Sequence, residues 1–216
     1  MTRGRLILIL TIVTSALRGQ EYCSHSVHSS TVNSSVSPGY SVLQNCYDVK
    51  YYDLKLEVTD TSTFLKGETE ISFESLALMD SVVFELTESM TIDSIFLDNK
   101  AVSGYSHNGE LVFIHPEESL IPGSRHRVKV FYQGGQTNNG FFSGLTNRID
   151  NTYKKAVTYT LSEPFQASGW FPVKQNLEDK ADSVRIRIIT PDSLLAGSNG
   201  LLTSVQNIEG GKKMFT

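Results

Sequence analysis

The chain has 216 residues and a mass of 24.0 kDa, enough for one sizeable domain or two small ones. Its 39% hydrophobic and 19% charged residues belong to a folded globular protein, which excludes a mainly disordered chain. A net charge of −4, a pI near 5.7 and the lack of any basic run give no basis for nucleic-acid binding.

The first residues have the pattern of an export signal. Thr2-Arg3-Gly4-Arg5 supplies positive charge, Leu6 to Leu17 is an almost unbroken apolar run, and Ser15, Ala16 and Gly19 are small residues suited to cleavage. This predicts a signal peptide over 1–20, a mature start near Gln20 or Glu21, and an exported protein, whether secreted, periplasmic or cell-surface. The apolar run is well short of the roughly 20 residues that a helix needs to cross a bilayer. No later segment approaches that length, so no membrane span is expected after cleavage; the alternative is an uncleaved anchor.

Residues 21–46 are rich in Ser, Val, Thr, His and Asn with few large apolar side chains, which predicts a poorly ordered lead-in or linker. Two cysteines, Cys23 and Cys46, fall here. An oxidising compartment permits them to pair, while a disordered Cys23 near the cleavage site stays free. Two cysteines alone do not make a structural zinc site, which normally takes four ligands. His25 and His28 lack a third ligand and a periodic apolar frame, so they read as solvated. Asn33-Ser34-Ser35 fits the N-glycosylation pattern.

From Tyr47 onward the period is two and the residues are β-branched and aromatic. Val49, Tyr51, Leu54, Leu56 and Val58 predict one long strand with a slip near Tyr52-Asp53. Further strands are predicted at 65–73, 81–86, 91–97, 110–115, 126–132, 156–161, 183–190 and 201–208. Turns are explicit at Asp98-Asn99-Lys100, His107-Asn108-Gly109, Pro122-Gly123, Asn199-Gly200 and Glu209-Gly210-Gly211. Short strands at this spacing indicate a sandwich or an open, curved sheet. Only Gln175 to Ala181 is left for a helical turn.

Gly134 to Gly140 is a Gly/Asn-rich loop without the Lys-Ser or Lys-Thr of a phosphate cradle, and reads as a surface loop suited to contact with a partner or substrate. The sequence has no His-Glu-x-x-His, no Gly-x-Ser-x-Gly and no dinucleotide fingerprint. A Ser-His-Asp triad leaves no local signature, and nothing points to one.

Thr158 to Pro172 holds the only tryptophan, Trp170, and a lone acid, Glu163, among apolar and ring residues. An enclosed carboxylate needs a donor partner, and a ligand can be that donor. Trp170 and Phe171 read as closing a core corner. Lys154, Lys155 and Lys174 read as solvated charges.

Read without gaps, Thr160, Glu163, Pro164, Ala167, Phe171, Pro172, Lys180 and Ala181 resemble a signature of the N-terminal domain of zinc aminopeptidases, the family of membrane alanyl aminopeptidase and leukotriene hydrolase. Pro191 and Ser198-Asn199-Gly200 resemble that domain's closing strands. Tyr47 to Leu54 resembles its opening strand, Phe64 to Phe73 its second, and Gly140-Phe141-Phe142 its glycine-aromatic loop. Leu161, Ser168, Val173 and Gln175 depart from the family's glutamine, arginine, cysteine and aspartate, so the family's internal polar contacts are not expected there.

The resemblance implies an all-β fold, a large antiparallel, curved, saddle-like multi-sheet β-sandwich over 47–216. It implies a non-catalytic domain, with zinc held by the full-length enzyme in the domain that follows and none bound by this chain. Ending at Lys212 to Thr216 on a strand pattern, the chain is expected to be truncated just before that catalytic domain, its partner in the same polypeptide, and to be inactive alone. Glu163 matches the family residue that helps bind the α-amino group of peptide N-termini; an ammonium charged at neutral pH suits a partly enclosed carboxylate. Without the resemblance, Glu163 reads as a strand cap or an ion-pair partner. An exported β-sandwich that only binds, as an adhesion or carbohydrate-recognition module, accounts equally for the signal, the strands and the aromatic corner.

Overall fold

The computed structural model of the protein describes residues 22–23, 40–135, 144–162 and 165–216. The signal segment, His25, His28, Asn33, Glu163, Pro164 and most of the Gly/Asn-rich loop lie outside the described residues. In chain order the elements are β1 (Tyr22–Cys23), a 3-10 helix (Val42–Cys46), β2 (Tyr47–Val58), β3 (Phe64–Ser75), β4 (Leu78–Met79), β5 (Val82–Glu85), β6 (Met90–Leu97), β7 (Lys100–Ala101), β8 (Tyr105–Asn108) and β9 (Leu111–Ile114). There follow β10 (Arg125–Gly135), β11 (Leu145–Ile149), β12 (Ala156–Thr160), a 3-10 turn (Ala167–Gly169), β13 (Ser183–Pro191), β14 (Val205–Ile208) and β15 (Lys212–Phe215). Among the described residues no helix is long and apolar enough to cross a membrane.

The fold is all-β, as the period-two pattern predicts. Eight strands form one sheet in the order β14-β15-β13-β2-β3-β10-β6-β7, and β5-β9-β8 form a second, three-stranded sheet. β11 pairs with β12, and β1 pairs with β4. The large sheet is mixed, which corrects the antiparallel expectation: β13 runs parallel to β2, from Ser183 opposite Tyr51 to Ile189 opposite Glu57. Parallel neighbours need a long crossover, and here everything from β3 to residue 182 intervenes.

Cross-strand rows carry the core. Tyr52, Ile71, Val128 and Leu97 lie opposite one another, as do Leu54, Thr69, Val130 and Ile95, and Leu56, Gly67, Tyr132 and Ile92. Thr69 is buried, and the apolar side chains of these rows are buried in one cluster with Val82, Phe84, Val112 and Ile114 of the smaller sheet. The opposite face is laced with ions: Asp53 with Arg185 and Arg187, Glu68 with Lys55 and Lys129, and Glu70 with Arg127 and Lys129. One dry and one wet face is the usual economy of such a sheet.

The slip in β2 falls between Val49 and Tyr51, earlier than expected. A bulge there keeps Tyr47 and Val49 on the same buried face as Tyr52, Leu54 and Leu56. The predicted hairpin at Asp98-Asn99 joins β6 to β7 with φ of 50° and 68°, the left-handed pair of a type I′ turn.

Two expectations need correcting. The lead-in over 21–46 gives way to ordered structure by Ser41, where Gln44 Oε1 accepts from Ser41 N at 2.8 Å and Ser41 Oγ from Leu43 N at 3.4 Å, a capping box. Leu43, Gln44 and Cys46 are buried; Gln44 looks like linker composition but has a buried partner. The segment from Gln175 to Ala181 is not helical: Asn176 Oδ1 accepts from Glu178 N at 2.9 Å, closing a turn through the asparagine side chain.

Candidate functional site

The stretch after β12 is built as a corner clamped from three sides. Phe165 stands at a φ of 60°, a left-handed conformation that costs a bulky residue energy and must be held by its surroundings. Trp170 N and Phe171 N donate to Ala167 O at 3.1 and 3.2 Å. Tyr132 Oη, from β10, donates to Trp170 O at 2.9 Å. Thr87 N donates to Ser168 O at 3.0 Å, and Glu85 and Val173 exchange both backbone bonds, at 2.7 and 2.9 Å. Lys174 N donates to Tyr52 Oη, in β2, at 3.1 Å.

A buried amide ties the two ends of this corner together. Gln175 Oε1 accepts from Ala167 N at 2.8 Å and from Ser168 N at 3.3 Å, while its Nε2 donates to Glu85 Oε2 at 2.7 Å. Glu85 Oε1 accepts from Gln175 N at 3.2 Å and from Gln44 Nε2 at 3.1 Å. Ser168 Oγ donates to Glu110 Oε2 at 3.3 Å, and burial pushes the Glu110 carboxyl up. Gln44, Glu85, Ser168 and Gln175 are all buried. Ser168 and Gln175 are two of the departures from the resembled signature, so different polar contacts occupy this place. The sequence signal for Glu85 was present: it is the one acid in the apolar run Val82-Val83-Phe84-Glu85-Leu86.

Trp170 and Phe171 close the core, as expected. Phe171 is buried and meets Tyr52 edge-on at 5.7 Å, and Trp170 lies 4.5 Å from Phe171 with Nε1 donating to Ser162 Oγ at 2.8 Å. Glu163 itself lies outside the described residues, between Ser162 and the Phe165 turn.

Lys174 is corrected. It is buried, 6% exposed, where a solvated charge was expected. Its Nζ donates to Tyr47 O at 2.6 Å, pairs with Asp179 and sits 4.5 Å from the centre of the Tyr47 ring. Burial depresses the ammonium, and the Asp179 hydrogen bond opposes that effect. Nearby, the Lys50 ammonium bonded to Asp48 holds that carboxyl below its usual range. Lys154 and Lys155 are exposed.

Cys46 is buried and disulfide-bonded. The backbone of Cys23 lies in β1, opposite Met79.

The structure brings together a Ser-His-Asp constellation, in the order of a triad, that the sequence did not mark. His126 Nδ1 lies 2.7 Å from Asp98 Oδ2, and its Nε2 lies 2.6 Å from Ser124 Oγ. Ser124 Oγ donates to Ile121 O at 2.5 Å, Ser124 N to Ile121 O at 3.1 Å, and Ser75 N to Ser124 O at 2.9 Å. A hydroxyl whose proton is held by a carbonyl is not the activated nucleophile of a triad; these groups lock the turn before β10. Among the described residues no three or more His, Cys, Asp or Glu side chains form a group able to hold a metal. With no His-Glu-x-x-His in the sequence, the residues present do not fit the zinc of the resembled enzymes.

Comparison with known proteins agrees with this architecture. A mutant M1 zinc metallopeptidase from Deinococcus radiodurans superposes with a TM-score of 0.70 at 24% identity, over 84% of this chain and 40% of that one. The same mutant with a Tyr-Ser-Ala substrate gives 0.71 at 22% identity and the same coverage. A two-domain M1 zinc metallopeptidase mutant with L-arginine gives 0.69 at 23%, again over 84% and 40%. The chain therefore spans about two-fifths of the length of these structures, and at such identities the likeness is one of fold. Among curated proteins, none matches the chain by sequence. The family model described as the Peptidase M1 N-terminal domain matches residues 48–216, and so the chain belongs to that family.

Proposed function

We propose that this chain is the N-terminal, non-catalytic domain of an exported zinc aminopeptidase, and that Glu163 receives the α-amino group of the peptide substrate. The observation that carries the reading is the family match over 48–216, together with Thr160, Pro164, Phe171 and Pro172 standing around Glu163 in the family's spacing. The clamped corner from Phe165 to Gln175 supports it, because a carboxylate that recognises an ammonium must be held in place before the substrate arrives. The zinc and the water-activating residues belong to a following catalytic domain of the same polypeptide. Export is supported by the Leu6 to Leu17 run and by the disulfide at Cys46, since such bonds persist in oxidising compartments. Cys23 is the one other cysteine in the sequence and the proposed partner of Cys46.

The test is kinetic. In the longer polypeptide carrying this domain, Glu163→Ala removes one charge-assisted hydrogen bond, about 1.5–3 kcal/mol, or roughly 10- to 150-fold in kcat/KM for substrates with a free N-terminus. Unfolding midpoints stay within about 1 °C of the parent. Equal kinetics in mutant and parent removes Glu163 from the mechanism. Turnover of aminoacyl amides by residues 1–216 alone, supplied with zinc, overturns the reading of this chain as non-catalytic.

A further inference from the structure

Glu163 stands in sequence between two points that the structure holds in place. On one side is Ser162, whose Oγ accepts from Trp170 Nε1 at 2.8 Å and whose backbone O accepts from Gln166 N at 3.5 Å. On the other is the Phe165 turn, whose continuation through Ala167 and Ser168 is bonded to Gln175. Trp170 is itself immobilised. Its carbonyl accepts from Tyr132 Oη at 2.9 Å, its backbone N donates to Ala167 O at 3.1 Å, and its ring lies 4.5 Å from that of Phe171. Tyr132 is buried, so the support on which Trp170 leans belongs to the core. Gly144, just before β11, packs so closely on the same corner that a Cβ there would lie 2.8 Å from Gly169 Cα and 2.9 Å from Gln166 O. Ser162 and Trp170 are not among the residues that match the family signature, and Leu161, Ser168 and Gln175 around them depart from it. The indole-to-hydroxyl clasp is thus this chain's own device.

We propose that Trp170 is a positioning residue: its indole N–H holds Ser162, the residue before Glu163, and so sets the Glu163 carboxylate for the α-amino group of the substrate. This rests on the proposed role of Glu163 and deepens it. An indole N–H is a donor with one direction on a rigid plane, so a ring packed on Phe171 fixes the place of the hydroxyl it meets. A carboxylate recognises an ammonium through a short, aligned bond, and a misplacement of about 1 Å at such a contact costs up to about 100-fold. The Gln175–Glu85 pair secures the chain after Glu163 without help from Trp170. The chain before Glu163 is held through the Trp170 bond, beyond the last β12 pair of Thr160 with Leu145. Ser162 is half-buried, so water replaces a lost donor and the fold persists while the carboxylate loses its setting. The ring of Trp170 closes the core, as its sequence suggests; its N–H has a second task.

The clasp is read in residues 1–216. Trp170 is the only tryptophan, so the chain has one indole N–H signal in a proton–nitrogen correlation spectrum. Ser162→Ala moves that signal and speeds its exchange with water about tenfold; an unchanged position and exchange rate overturns the proposal. The consequence is read in the longer polypeptide that carries this domain. Trp170→Phe keeps a ring on Phe171 but removes the donor, and Ser162→Ala removes the acceptor without touching the ring. Each raises KM for substrates with a free N-terminus about fivefold, while kcat stays within about twofold. The two together are no worse than either alone, and thermal midpoints stay within about 3 °C of the parent. In a Glu163→Ala background, Trp170→Phe changes kcat/KM by less than about twofold, because the group it sets is gone. A loss as large in that background as in the parent makes Trp170 a support of the fold and overturns the proposal. Parent kinetics in both single variants, with Glu163→Ala impaired, also overturns it and leaves the amine role of Glu163 intact. Parent kinetics in Glu163→Ala itself removes that role, and the proposal falls with it.

Discussion

Gln175 and Glu85 hold each other through two hydrogen bonds, Nε2 to Oε2 at 2.7 Å and backbone N to Oε1 at 3.2 Å, although 90 positions separate them in the chain. Through this pair the corner that follows Glu163 is fastened to β5. Gln175→Ala removes the bonds of this amide to Ala167 N, Ser168 N and Glu85 Oε2, which should destabilise the domain by about 3 kcal/mol in urea unfolding. Gln175→Glu sets two buried carboxylates side by side and is expected to destabilise the domain more than Gln175→Ala does. Exchanging the residues, Glu85→Gln with Gln175→Glu, restores an acid-amide pair and recovers part of the loss. If the exchange is no better than the two single losses added together, the pair is not the unit described here.

Tyr132 lies flat over Gly67, its cross-strand neighbour. A Cβ on Gly67 would fall within the Tyr132 ring, and the ring cannot retreat, being buried with its hydroxyl bonded to Trp170 O. Gly67→Ala is therefore expected to cost about 2–3 kcal/mol. In a Tyr132→Leu background the same change should cost much less. A full cost in both backgrounds, read in a double-mutant cycle, would show that strain elsewhere sets the penalty.

Lys174 is anchored by Tyr47 O and Asp179 in a buried setting. Lys174→Ala strands Asp179 and the Tyr47 carbonyl and should destabilise by about 3–5 kcal/mol. Lys174→Met with Asp179→Leu removes both charges, keeps the stem packed on the Tyr47 ring, and is expected to lie much closer to the parent. Chemical unfolding of the three proteins decides the order; a double variant as unstable as Lys174→Ala contradicts it.

Burial raises the phenols of Tyr47, Tyr52 and Tyr132 well above their ordinary value of 10. A raised folded pKa means that the folded state keeps its proton after the unfolded chain has lost it. The stability these groups contribute is therefore complete below pH 10 and is lost as pH climbs through the folded values. Lys174, whose folded pKa is depressed, has the opposite slope below 10.5, but it is one group against three. Absorbance at 295 nm should show a steep step of phenol ionisation that coincides with loss of β structure by circular dichroism. One gradual step with β structure retained would mean that these phenols are not enclosed.

Most of the strands were legible because they depend on neighbours in sequence: alternation from Val49 to Val58 sets one face, and Asp98-Asn99 supplies its own left-handed turn, whereas β8 and β11 were not marked and 201–208 is strand only from Val205. Membership of the peptidase family was legible for the same reason, since Glu163 to Ala181 is a local spacing. What a residue meets across the fold was not local. Lys174 reads as a surface charge until β2 brings Tyr47 over it, and Gln44, Glu85, Ser168 and Gln175 read as unrelated polar residues until β5 meets the Phe165 corner. The parallel seat of β13 beside β2 likewise depends on which strands become neighbours. Short-range patterning determined that this chain makes amphipathic strands and where they turn. Only the tertiary structure decided which polar groups are buried together and which strands lie side by side, because both follow from contacts between segments far apart in sequence.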